Sequence, residues 1–217
     1  MRGMLVKDFR MLWMQKQFFA VIVVLSVFLL FSGQAASFII FYCMAMGMYL
    51  SLSMIAYDEY ENGYAFLFTL PVSRRGYVIE KYVFSVICTV AMCGLSATVC
   101  GIAEWIRQPE LNVAELILTA VSGMFAMQGL FAVIVPFRLK FGAEKGRIVI
   151  VIATVAISGI VMVTAQMGKT VPALRETLQQ LGNVSGPALC ASMILAVLAV
   201  MGISVPVSIH IVEKKQF

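Results

Sequence analysis

Long apolar runs are the feature that most constrains the fold of this chain. A helix needs about 20 residues to cross the roughly 30 Å hydrocarbon layer of a membrane, and lipid offers no partner to exposed backbone groups. Six apolar runs approach or reach this length, at residues 18–31, 38–57, 83–103, 113–135, 148–166 and 187–211. Only 12% of the residues are charged, against roughly 25% in an average soluble domain. The sequence predicts an all-α, polytopic membrane protein with six transmembrane helices.

The segment 1–17 predicts a helix that lies along the membrane surface. One apolar helical arc is formed by Leu5, Val6, Phe9, Leu12 and Trp13, and most of the polar residues lie on the rest of the helix. A positively charged leader ahead of the first span is the alternative. Removal as a signal peptide is not expected, because the segment is long and contains Asp8.

The distribution of Lys and Arg predicts that both termini lie in the cytoplasm. Positively charged loops are retained on the cytoplasmic side of a membrane. With six spans and the amino terminus inside, all but three of the 16 Lys and Arg residues fall in cytoplasmic segments. The three on the outer side are Arg107, Lys169 and Arg175.

The interiors of the apolar runs contain no Asp, Glu, Lys or Arg. This argues against an ion-coupled carrier, which usually holds an ionisable group near the membrane midplane. The single histidine, His210, is expected at the membrane interface, and all five cysteines lie in apolar runs. We therefore expect no metal site, disulfide or cofactor. Nucleic-acid binding is also not expected, because no basic face with interleaved aromatic residues is present.

Gln128 is the most notable polar residue inside a predicted span. It could line a translocation path. A hydrogen bond to a neighbouring helix is the favoured interpretation, since polar side chains often join transmembrane helices in this way.

The segment 57–82 gathers charges between two apolar runs. Its charged residues are Asp58, Glu59, Glu61, Arg74, Arg75, Glu80 and Lys81. The aromatic stretch between the acids and the arginines predicts a short surface helix that could dock into a partner's groove. Pro71 ends this helix because proline lacks an amide proton, and Ser73 is placed to cap the next helix.

This segment resembles the permease subunits of ABC-2 type transporters, in particular a small six-span branch found in Gram-positive bacteria. The residues that carry the resemblance are Tyr57, Asp58, Glu59, Leu70, Pro71, Val72, Ser73, Arg74, Lys81 and Tyr82. A second patch at 136–147 is similar to the loop between spans four and five of that branch. Gly63 departs from the pattern, in which a bulkier residue is expected in the short docking helix.

The resemblance implies one permease domain over residues 1–217, in a bacterial cytoplasmic membrane. Two identical or related permeases would form the path of an exporter above cytoplasmic ATPase subunits. The chain has no GxxxxGK[ST] phosphate loop, so it is not expected to be an enzyme, and ATP hydrolysis is assigned to the partner. Coupling is expected through the loops 58–82 and 136–147.

The predicted coupling residues follow from the same resemblance. They are Asp58, Glu59, Glu61, Tyr64, Phe68, Pro71, Arg74, Arg75, Lys140, Glu144, Lys145 and Arg147. Those before Pro71 would contact the ATPase, the two arginines together with Lys81 would position the third span, and the last four would form a second contact or a lipid anchor. The alternatives are an ATP-independent channel or secondary carrier, and a non-transporting immunity or sensor component.

Overall fold

A computed structural model describes residues 2–60, 63–67, 69, 72–107, 113–170 and 186–215. Beyond Gly142, within 143–170, it describes the backbone and the side chains of residues 148, 151, 152 and 155 alone. The described residues are largely helical. These helices are α1 Arg2–Met14, α2 Lys16–Phe31, α3 Ala36–Glu59, α4 Gly63–Leu67, α5 Arg74–Arg107, α6 Val113–Thr170 and α7 Gly186–Lys214.

Among the described residues, four helices are long and apolar enough to cross a membrane, or five when a bent pair is counted as one candidate span. The four are Ala36–Glu59, Arg74–Ile106, Leu116–Gly142 and Ala191–Lys214. The pair is α1 and α2, which meet at an angle of 64°. With 16 residues, α2 is only about 24 Å long, which is short of the hydrocarbon thickness. The predicted span 148–166 lies in the second part of α6, so six spans stay a prediction.

The central helix of the bundle is α3, which packs against α5 and α6, while α6 packs against α7. One apolar cluster lies around Ile55, Tyr77, Phe131 and Val135. A second cluster, around Ile39, Ile40, Met44 and Cys100, lies towards the opposite end of α3. Because both clusters use α3, this helix holds the bundle together along its length.

The N-terminal helix α1 uses a narrow face to pack on the bundle. Met4, Asp8 and Leu12 are buried there, and the spacing of four residues places them one above another on a helix. Trp13 is 76% exposed and Val6 is also exposed. The predicted apolar arc therefore faces away from the protein over much of its width, as suits a helix at a membrane surface.

One predicted boundary agrees with the structure and one differs. Helix α5 begins at Arg74, directly after the predicted cap, and it includes Glu80 and Lys81, which are buried within the protein. Residues 136–147, predicted as a loop, are helical on both sides of a break at Gly142, where φ is 82° and ψ is 174°. Ser73 caps α5 as predicted, because its Oγ accepts a hydrogen bond from the Gly76 amide at 3.1 Å.

Candidate functional site

Lys81 lies at the centre of a buried group of charges where α1, α3 and α5 meet. Its Nζ atom is 2.7 Å from Asp58 Oδ2 of α3 and also forms an ion pair with Asp8 Oδ2 of α1. All three side chains are buried, with 2% of Lys81 exposed. Burial of a charge is costly unless an opposite charge compensates it. The two aspartates supply that compensation, so the three helix segments hold each other in place.

Lys7 adds a second cation at the edge of the same group. Its Nζ lies 3.2 Å from Asp8 Oδ1 and forms an ion pair with Asp58 Oδ1. Each aspartate is therefore bound by both lysines. We call Lys7, Asp8, Asp58, Glu80 and Lys81 the ion-pair cluster. It attaches the surface helix α1 to the two spans α3 and α5.

Glu80 is the member of the ion-pair cluster with the weakest pairing. Its side chain is buried, and among the described residues its cation partner is Lys81, at 3.6 Å. Neither of its carboxylate oxygens accepts a hydrogen bond from a described residue. The cluster thus contains three carboxyl groups and two ammonium groups, and Glu80 is the group left over.

The short helix α4 packs directly beside this cluster. Tyr64 is buried against Tyr77 of α5, with ring centroids 5.8 Å apart in an edge-to-face arrangement. Burial raises the pKa of Tyr64 to about 12. Leu67 is buried as well, whereas Phe66 is 72% exposed. The helix therefore turns Tyr64 and Leu67 inward and presents Phe66 to the outside.

Gly63 is required by the close approach of α4 to the end of α3. A Cβ atom at this position would lie 2.6 Å from the backbone oxygen of Asp58. The expected bulkier residue would collide with backbone, which cannot move aside as a side chain can. This departure from the family pattern is therefore what lets α4 pack next to the ion-pair cluster.

The C-terminal end of α7 is attached to the start of α5. Arg74 Nη1 donates to the backbone oxygens of Val212 at 3.1 Å, Glu213 at 2.7 Å and Lys215 at 3.1 Å. The last carbonyls of a helix lack intrahelical partners, so a guanidinium group is well suited to bind them. Arg75 forms an ion pair with Glu213 at 2.8 Å, but its side chain is exposed, so this pair contributes little.

The first part of α6 reaches the same end of the bundle. Lys215 Nζ donates to the backbone oxygen of Leu139 at 3.2 Å and lies 4.0 Å from Glu59 Oε1. It also lies 5.4 Å from the centre of the Tyr64 ring. Gly142 approaches Glu59 so closely that a Cβ atom would be 2.5 Å from Glu59 Oε1. We call this meeting point of α1, α3, α4, α5, α6 and α7 the charged end.

Comparison with protein families agrees with this architecture. The family model described as ABC-2 family transporter protein matches residues 3–213. The chain belongs to the ABC-2 transporter family. No significant match was found among curated proteins or among solved structures. This ABC-2 family protein is thus a multi-pass membrane component of a transporter, and membership implies an ABC ATPase as its partner.

The structure brings several predicted coupling residues of the ABC-2 protein together at the charged end. Asp58, Glu59, Tyr64, Arg74 and Arg75 all lie there. Lys140 is exposed on α6, with its Nζ 5.3 Å from the centre of the Phe141 ring. Glu61, Phe68 and Pro71 lie outside the described residues, and the side chains of Glu144, Lys145 and Arg147 are not described.

Two of the predicted coupling residues, Asp58 and Tyr64, have buried side chains. Asp58 is 5% exposed and both of its oxygens are bound by lysines. Tyr64 is 6% exposed. Both side chains face the bundle, so their contribution to a partner interface would be to hold α3 and α4 in position.

Sequence reasoning did not identify the pairing of α1 with α5. The sequence analysis assigns no role to Lys7 or Asp8. A signal was present, because an acidic residue is unusual in a basic surface helix ahead of the first span. Glu80 was placed at a helix end. The signal here is a Glu and a Lys side by side at the start of a long apolar run, because such charges need buried partners when the run is packed.

Gln128 joins α6 to α5. Its Nε2 donates to the backbone oxygen of Ser85 at 3.2 Å and to Thr89 Oγ1 at 2.9 Å. Gln128 is buried. This is the geometry of an interhelical hydrogen bond, and a place in a translocation path stays a prediction.

The described residues contain no group of three or more His, Cys, Asp or Glu side chains arranged to hold a metal ion. The chemistry of the charged end is therefore that of ion pairs and hydrogen bonds between helices. Such an arrangement can transmit a displacement of one helix to its neighbours.

Proposed function

We propose that this ABC-2 family protein is the permease subunit of an ATP-driven exporter. It would work with a second permease, identical or related, and with separate ATPase subunits that supply the energy. The family match over residues 3–213 supports this proposal. The absence of a phosphate-loop motif from the sequence agrees with ATP hydrolysis in a partner.

The observation that carries the coupling mechanism is Lys81 shared between Asp8 of α1 and Asp58 of α3. Separation of a buried ion pair is strongly unfavourable, because it leaves an uncompensated charge in a medium of low dielectric constant. A partner that moves α1 or α4 would therefore move α3 and α5 together with them. In this proposal the charged end converts movement of the ATPase into a change in the spans.

The partner contact is proposed at the exposed residues around α4. Phe66 offers an exposed apolar side chain, and Glu59 at the end of α3 is partly exposed. An aromatic residue in the centre of an interface with charges near it is a common arrangement. Glu61, Phe68 and Pro71 would extend this surface, and Lys140, Glu144, Lys145 and Arg147 would form a second contact or a lipid anchor.

The orientation belongs to the same proposal. The bias of Lys and Arg places the charged end and both termini in the cytoplasm of a bacterial cell, in a six-span arrangement. This is the side on which an ATPase has access to ATP. The cargo and the composition of the permease pair are not specified by any described residue.

A pull-down from native membranes in mild detergent tests the proposal. The tagged chain is expected to retain an ATPase with a phosphate loop, and Phe66→Glu is expected to lose it while remaining folded. Phe66→Leu is the matched control, because it keeps an apolar side chain at the same exposed position. A folded wild-type chain that retains no ATPase in several detergents would overturn the proposal and favour a channel, carrier or accessory protein.

A further inference from the structure

A groove lies in the elbow between the surface helix α1 and the following helix α2. It has a volume of about 430 Å³, which lies within the range of about 300–1,000 Å³ of small-molecule sites. Its walls include Phe9 and Trp13 of α1, Leu50 of α3, and Ile87 and Ala91 of α5. All of these are apolar or aromatic, and several are exposed. The groove therefore presents an apolar surface to the surrounding lipid.

Lys16 is the single charged residue in the lining of this groove. It is the first residue of α2 and follows the bend at Gln15. Its side chain is exposed, and no described carboxylate lies within ion-pairing distance of it. An apolar groove with one unpaired lysine at its edge complements a molecule that has a hydrocarbon chain and an anionic head.

The position of the elbow also fits such a molecule. Trp13, beside Lys16, is of the residue type that is enriched where hydrocarbon meets the polar head groups. A lysine at this level can reach phosphate groups while its stem stays against apolar atoms. We propose that the elbow groove binds an anionic phospholipid, with an acyl chain along Trp13, Ile87 and Ala91 and its phosphate on Lys16.

Such a lipid would form a second bridge between α1 and α5, in addition to the ion-pair cluster. Asp8 joins α1 to Lys81 of α5, and the groove joins Phe9 and Trp13 to Ile87 and Ala91 of the same helix. The bound lipid therefore strengthens the attachment of α1. This inference concerns the chain alone and stands whether or not an ATPase is the partner.

The two tryptophans of the chain provide the test, because Trp13 lines the groove and Trp105 lies near the far end of α5. Trp105→Phe is reconstituted in nanodiscs with lipids brominated in the acyl chain, which quench nearby indole fluorescence. Brominated phosphatidylglycerol is expected to quench Trp13 with an association constant about fivefold above that of brominated phosphatidylcholine, the preference that one lysine near a membrane surface gives.

Matched variants separate the groove from general charge attraction. In the Trp105→Phe background, Lys16→Gln is expected to abolish the preference, and Lys214→Gln, an exposed lysine outside the groove, is expected to keep it. Ala91→Phe fills the groove and should weaken quenching by both lipids. In the converse variant, Trp13→Phe, the remaining Trp105 should be quenched equally by both lipids. Equal quenching of Trp13 by both lipids, a preference that survives Lys16→Gln, or quenching that Ala91→Phe leaves unchanged would overturn the proposal.

Discussion

The two ends of the helical bundle are held together by different kinds of interaction. At the charged end, a buried lysine with two buried aspartates, an arginine on helix carbonyls and two tyrosines join five helices. At the other end, Ile39, Ile40 and Met44 of α3 pack against neighbours such as Cys100 and Ala120. Ion pairs need defined distances and partners, whereas apolar side chains can repack at small cost. The charged end is therefore built to move as a unit, and the apolar end to adjust.

The largest effect is expected from Lys81→Met, which removes the shared cation of the ion-pair cluster. Asp8 and Glu80 would then stay buried with Lys7 as the remaining lysine nearby, and a broken buried pair costs about 3–5 kcal/mol. We expect the purified protein in detergent to lose its monodisperse size-exclusion peak at a markedly lower temperature. Lys140→Met, at an exposed lysine, is the control and should change little. Equal stability of the two variants would contradict the assigned importance of the cluster.

Gly142→Ala is expected to have the next largest effect at the charged end. The dihedral angles of Gly142 lie in a region that is almost exclusive to glycine, and occupying it costs another residue about 1–3 kcal/mol. The new Cβ atom would also lie 2.5 Å from Glu59 Oε1. The same thermal assay applies, with Gly202→Ala as control, because no atom lies within 4 Å of a Cβ there. If Gly142→Ala and Gly202→Ala have the same thermal stability, the helix break at Gly142 can adapt to a side chain.

Gly123→Ala tests the adaptable end and should cost less than Gly142→Ala, because alanine is favoured over glycine inside a helix by about 1 kcal/mol. The new Cβ would meet Met44 Cε and lie 3.1 Å from the edge of the Phe41 ring. Because the end of a methionine side chain is flexible, it can move aside, and alanine also favours the helix. The comparison of thermal stability with Gly142→Ala is the measurement. A loss as large as that at Gly142 would mean that both ends are equally rigid.

The smallest effect is expected from Glu80→Gln, and it should be zero or slightly stabilising. This change removes the surplus carboxylate of the ion-pair cluster, whose only described cation partner is 3.6 Å away. Asp58→Asn is the comparison, because Asp58 is bound by both lysines, and it should lower the stability clearly. If Glu80→Gln proves as harmful as Asp58→Asn, then Glu80 has a partner that the described contacts do not include.

Local patterns in the sequence were sufficient for the class of fold and for the helix signals. Apolar runs predicted the centres of α3, α5 and α7, and Ser73 predicted the cap of α5. They were not sufficient to predict that Glu80 and Lys81, near the start of α5, are buried. Burial of those charges depends on Asp8 and Asp58, which are distant in sequence. A pairing of this kind has no periodic signal in the chain.

The same limitation applies to the candidate site. The aromatic stretch after Glu61 predicted a short helix, and α4 is that helix, while its role in coupling stays a prediction. It did not indicate which side chains face outward. Tyr64 and Leu67 are buried on a helix of five residues, which leaves Phe66 exposed. That choice depends on how α4 packs against Tyr77, which in turn depends on Gly63 permitting close approach to Asp58.

The most direct test of the proposed coupling is hydrogen exchange of the backbone amides in the assembled transporter, with and without ATP. We expect the exchange of α1 and of the first turns of α5 to change together on nucleotide binding, because Asp8 and Lys81 connect them. In Asp8→Asn the two changes should separate, while the ATPase stays bound. Correlated changes that persist in Asp8→Asn, or exchange at α1 and α5 that does not respond to ATP in the wild type, would contradict transmission through the ion-pair cluster.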